Sequence, residues 1–133
     1  METYDTYCLV PPSADLAALV DTLFQFDRVV FHDGRQDHPI RSGADAALTF
    51  RSRMGDHDHI RFHVAQVPDT EGGWLYRLAD GAAVVGLSGD ASKPGVARSR
   101  LDALVRGGRA FEWGDQPPPE SSEGCAQAWR SQQ

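Results

Sequence analysis

"ALTFRSRMGDHDHIRFHV", residues 47–64, decides the fold. Its first half reads as strand or as helix. Leu48, Phe50 and Met54 alternate with Thr49, Arg51 and Arg53, the period-two pattern of a half-buried strand. Ile60, Phe62 and Val64 then alternate in the same way with Arg61 and His63. Taking "GDHDH" as the connecting loop puts Met54 opposite Ile60, Arg53 opposite Arg61 and Arg51 opposite His63. Both apolar sets then share one face of a hairpin, so the alternation favours strand over helix.

The flanking sequence extends this outline. Residues 3–10, "TYDTYCLV", are rich in β-formers and end at Pro11-Pro12. Ser13 is a suitable N-cap, with Asp15 in the first turn. Leu16, Leu19, Val20, Leu23 and Phe24 follow at helical spacing, which predicts an amphipathic helix ending near Phe26. "RVVFH", 28–32, reads as a short strand and 33–43 as loop. Asp80-Gly81 is a two-residue turn signal between two strands. In that register Trp74, Tyr76 and Leu78 share a face with Ala83, Val85 and Leu87. Ser92 or Asp90 opens a second helix over about 93–106, turned inward by Val96, Ala97, Leu101, Leu104 and Val105 and closed by Gly107-Gly108. "RAFEW" reads as a last short strand. The fold class expected is α+β, with a mostly antiparallel sheet, a four-stranded meander and two main helices packed on one face. Residues 1–114 form the single domain. Residues 115–133 are a Pro-rich extension, ordered in part at most; Pro117 to Pro119 favour polyproline II, and Ser121 or Ser122 is a cap for a final turn or two that packs Trp129.

Composition narrows the function. The chain has 133 residues, 41% of them hydrophobic and 24% charged, with a formal net charge of −6. That length suits one domain with one substantial core. The acidic balance argues against nonspecific binding to nucleic acid. No apolar run approaches the length of a membrane span, and the acidic start "METYDTYC" lacks a signal-peptide core. Cys8 and Cys125 form neither a disulfide framework nor a C-x-x-C pair. A cytoplasmic protein with reduced thiols is expected. Cys8, in a core strand, reads as packing and not as a nucleophile.

His57, His59 and His63 crowd the same decisive stretch. H-x-H on a strand is a metal-ligand spacing, and a metal-dependent enzyme using these three is one alternative. Arg51, Arg53 and Arg61 on the predicted face repel a divalent cation, and no further ligand stands at a familiar spacing. The expectation is therefore no metal and no cofactor. His32 and His38 beside Asp33 and Asp37 draw an acid–base pair on paper, but turns favour Asp for backbone reasons alone. No nucleophile elbow, phosphate loop or dinucleotide fingerprint is present.

The more specific feature is a predicted cluster of Arg51, Arg53, Arg61, His63 and Arg77 on the polar face of the meander. Like charges directly opposed across strands destabilise a sheet, so the cluster invites an anionic counterpart. An arginine-lined phosphate or nucleotide site is a further alternative. In size, charge and α+β architecture, residues 1–113 resemble small acidic bacterial immunity proteins, without a diagnostic motif. The resemblance implies a non-catalytic module that binds and neutralises a co-encoded toxin. Asp33, Asp37, Asp56 and Asp58 would then meet a basic rim, with Trp74, Trp113 and the arginines as anchors.

Overall fold

A computed structural model describes residues 3–64, 70–93 and 95–133. Its elements in chain order are β1 (Thr3–Leu9), α1 (Leu16–Leu23), β2 (Phe24–Gln25), β3 (Val29–His32), β4 (Asp37–Ile40), α2 (Gly43–Ser52), β5 (His59–Val64), β6 (Thr70–Arg77), β7 (Ala83–Asp90), α3 (Val96–Leu104), β8 (Ala110–Gly114) and α4 (Ser122–Ser131). The fold is α+β. Six strands form a sheet of order β2-β5-β6-β7-β1-β8, and β3 and β4 make a separate hairpin. Every strand pairing is antiparallel.

The decisive stretch begins as a helix. Ser42 caps α2 by accepting from the Asp45 N–H, and the Asp45 carboxylate accepts from the Arg41 N–H. These bonds satisfy amide groups at and just before the start of the helix. Ala46, Ala47 and Phe50 are buried at helical spacing, whereas Leu48 is 46% exposed. The expected hairpin of 47–54 with 60–64 therefore does not form. Arg53 does not face Arg61, and the meander has three strands, β5-β6-β7, with β1 added beside β7.

Alternation in β5 sends Ile60 and Phe62 inward and leaves His59, Arg61 and His63 exposed. Phe62 stacks on Phe24 at 4.4 Å, with Phe26 edge-on at 5.8 Å. Gly73 makes room for Phe24, because a Cβ there would lie 2.3 Å from the Phe24 ring. This core gathers α1, α2 and α3 on one face of the sheet, through Leu19, Val20, Leu23, Phe50, Ala97 and Leu101.

The opposite face carries a second, smaller core of Tyr7, Leu78, Val84, Phe111, Cys125 and Ala128, roofed in part by α4. Helices thus lie on both faces, not one. The segment expected to be an extension supplies this roof. Ser121 caps α4, and Asp80 accepts from both the N–H and the hydroxyl of Ser122. A carboxylate at a helix N-terminus is favoured by the dipole.

The β6–β7 turn differs from the expected one by a residue. Gly81 lies at φ +81, and the Gly81 N–H donates to the Leu78 carbonyl. Leu78 is also bonded to Ala82, so three residues form the loop, a type favoured when the third is left-handed glycine. The added residue flips every partner. Tyr76 faces Val84 and Leu75 faces Val85, not Tyr76 with Val85. Three smaller corrections follow. Asp15, not Ser13, caps α1, which ends at Leu23. Gly95, not Ser92 or Asp90, stands at the start of α3. The loop predicted over 33–43 contains β4.

Candidate binding face

The candidate site grows from the β5–β6 register. His59, Arg61 and His63 leave the same face of β5 because the residues between them are core. Arg61 pairs with Trp74 and His59 with Tyr76 across β5–β6, so each partner side chain leaves by that face too. The Arg61 guanidinium lies 5.9 Å from the Trp74 ring centroid, and the His59 ring stacks on Tyr76 at 5.1 Å. Aromatic rings attract cations through their electron-rich faces, which favours the Arg61 guanidinium over the indole. On the neighbouring strand β2, Gln25 pairs with His63.

Towards the sheet centre the face becomes acidic and hydroxylated. Asp5 stands opposite Ser88, and Tyr7 donates to the Gln116 carbonyl at 2.7 Å. Burial pushes the Asp5 carboxyl above its ordinary value, against hydrogen bonds from Tyr7 and Ser88 and the positive charge of Arg61. The Tyr7 phenol is pushed well up by burial, and Tyr76 beside it acts in the same direction. α4 packs on β1 and β8, while the β5 row remains exposed beyond it.

The other expected site residues scatter. Arg77 leaves the helical face, donates to the Phe50 carbonyl and lies 5.3 Å over the Phe50 ring. Arg51 borders an open hollow with Leu16, Phe50 and Asp80. Arg53, at the end of α2, reaches the Thr49 hydroxyl at 3.5 Å. Of the five residues of the predicted cluster, only Arg61 and His63 share a face. The sheet separates them from Arg77, and α2 carries the other two away.

The loop aspartates hold turns. Asp33 accepts from the Arg35 and Gln36 N–H groups and contacts His38 Nε2 at 2.6 Å. Its carboxyl is held well below the usual range, first by His38 and then by those backbone donors. Asp37 pairs with His32 Nδ1 at 2.8 Å. Asp58 accepts from the Gly55 N–H at 2.7 Å, and Asp56 is exposed in the same turn. His57 sits at φ +64 in that turn and does not continue the row of His59 and His63. Among the described residues no group of three His, Cys, Asp or Glu side chains is placed to hold a metal ion.

Sequence reasoning named Arg61, His63 and Trp74 but not Tyr76, Asp5 or Ser88 as their neighbours. The third loop position of Gly81 sets the β6–β7 register that brings Ser88 and Asp5 to this face, while Tyr76 joins it through the β5–β6 register. No protein-family model, curated protein or solved structure matches the chain.

Proposed function

We propose that the protein is a non-catalytic binding module that engages a protein partner through the β5–β6 face, and that this partner is a toxin it neutralises in the cytoplasm. The Arg61–Trp74 pair, flanked by His59 and His63 on a face α4 leaves open, carries the reading. Tryptophan and arginine are the residue types that most often anchor protein interfaces, because each buries a large surface around a directional group. The patch presents the Arg61 guanidinium on a chain of net charge −6, which orients an incoming partner and matches an acidic loop on it. A phosphate site needs cations that converge, and the sheet holds Arg61 and Arg77 on opposite faces. The immunity-type identity of the module rests on its size, acidity and α+β architecture. Two buried free cysteines suit a reducing compartment. No helix is long and apolar enough to cross a membrane among the described residues.

The test is capture of a host protein by the wild-type chain beside Arg61→Glu and Trp74→Ala. The expected result is one partner retained by the wild type, released by both variants and bound more slowly at high salt. Retention by both variants rules out this face. If no protein is captured and inorganic phosphate raises the melting temperature, the phosphate alternative replaces the binding-module reading.

A further inference from the structure

Among the described residues β8 ends the sheet: it pairs with β1 on one side and with no strand on the other. Its register sets Phe111 opposite Tyr7, with Ala110 and Glu112 on either side of Phe111. The N–H groups of Ala110 and Glu112 are both bonded away from β1. Ala110 donates to Asp102 Oδ1 at 3.0 Å, from α3. Glu112 donates to Gln132 Oε1 at 2.9 Å, and its carbonyl accepts from Gln132 Nε2 at 2.7 Å. The Gln132 amide therefore makes the two bonds that one residue of a neighbouring strand would make.

We infer that Gln132 and Asp102 act as a surrogate strand that keeps β8 from pairing with a second copy of this chain. Exposed backbone at a sheet edge is a template for another strand, and folds that stay separate must cover it. This edge fits its own copy. Outward groups two residues apart are related by a twofold axis through Phe111, which sets Ala110 of one copy opposite Glu112 of the other. Antiparallel strands exchange a pair of hydrogen bonds at each such match, and a twofold contact uses the same patch on both copies. Trp113, 38% exposed, and Tyr4, 52% exposed, stand beside the edge and would gain cover in the pair. The inference is independent of the partner-binding face, which lies at the other end of the strand order.

The experiment compares the wild type with Gln132→Met, Asp102→Ala and the double variant. Methionine keeps the length of Gln132 and removes both bonds. Sedimentation velocity over a concentration series reads self-association, and amide hydrogen exchange reads the edge directly. The wild type is expected to hold one mass throughout, and the double variant to approach twice that mass as concentration rises. In Gln132→Met, before association sets in, the Glu112 amide should exchange about fivefold faster, the factor for one lost hydrogen bond. Adding Ala110→Pro to the double variant removes an outward donor that an edge strand tolerates losing, and should restore the single mass. A double variant that is folded by circular dichroism yet keeps the wild-type mass overturns the inference. So does association that survives Ala110→Pro, or a Glu112 amide unchanged by Gln132→Met.

Discussion

Phe62→Ala removes the ring at the centre of the aromatic stack. The side chain is 2% exposed and meets Phe24 face to face at 4.4 Å and Phe26 edge-on. Truncating a buried phenylalanine costs about 3–5 kcal/mol, from lost transfer energy and from the cavity left behind. The upper half of that range applies, because Phe24 leans on Gly73 and Gly73 on the β7 backbone, so the site cannot collapse easily. For a chain of this length each kcal/mol lowers the melting temperature by about 3–4 °C, giving a fall of roughly 12–20 °C. Urea unfolding followed by tryptophan fluorescence measures the loss directly. Contact between the rings is tested by a cycle of Phe24→Leu, Phe62→Leu and the double variant. Leucine is used because two alanine truncations would consume a stability of about 5–15 kcal/mol. A coupling of about 0.5–1.5 kcal/mol is expected for stacked rings. Losses that simply add would refute the placement of Phe62 on Phe24, and with it the entry of the chain from α1 into β2.

Gly73→Ala drives a methyl group against the Phe24 ring and the Gly86 carbonyl, so chemical denaturation should show a loss of about 1–3 kcal/mol. Asp33, Asp80 and Asp90 all have carboxyls held below the ordinary value, by hydrogen bonds from His38, Ser122 and Ser92 respectively. Their contribution is present above the unfolded carboxylate range and is lost as pH falls through the folded values; a melting temperature that did not drop between pH 5 and pH 2, a window of about three units, would contradict these bonds. Asp5 has the opposite sign, since burial raises its carboxyl. Asp5→Asn should therefore stabilise the fold at neutral pH and lose that advantage in acid, as a pH series of melting temperatures would report. Burial pushes the thiols of Cys8 and Cys125 up to about 12; a thiol reagent should label neither in the native protein and both once it is unfolded.

Much of the fold is legible in the sequence where one pattern is unopposed. The helix after Pro12, the strand alternation of Ile60 to Val64 and the closing strand at Ala110 carry no competing signal. Residues 42–54 carry two. Leu48, Phe50 and Met54 imitate a strand, while Ser42 with Asp45 three positions on is a capping signature for a helix. The cap prevails because Ala46, Ala47 and Phe50 bury one helical face against α1, and Leu48 is left in solvent. The β6–β7 hairpin was legible as a hairpin but not in its faces. Asp80-Gly81 fits a two-residue turn and the end of a three-residue one equally well, and the bonding of Leu78 to Ala82, with Gly81 left-handed and Asp80 not, decides between them. The candidate site inherits that uncertainty of one residue. Arg61 and Trp74 are identifiable as anchors, but their pairing follows from the β5–β6 register, and the separation of Arg77 from them from strand alternation in β6 and its bond to α2.

The place of β1 between β7 and β8 bears on how the chain reaches this state. Thr3 meets Asp90 and Leu9 meets Val84, while Tyr7 reaches the Gln116 carbonyl. The strand made earliest in the described chain thus waits for partners made late. Until then Tyr7 and Cys8, both fully buried in the end, have no neighbours to cover them. α1, α2 and the β3–β4 hairpin can assemble from local contacts, but the six-stranded sheet closes only through pairings of long sequence separation. Such closure is slow, because the loop entropy is lost before the contacts that offset it are gained. Refolding should accordingly be limited by the docking of β1, and a chain halted before Asp90 would hold its helices beside an unfinished sheet.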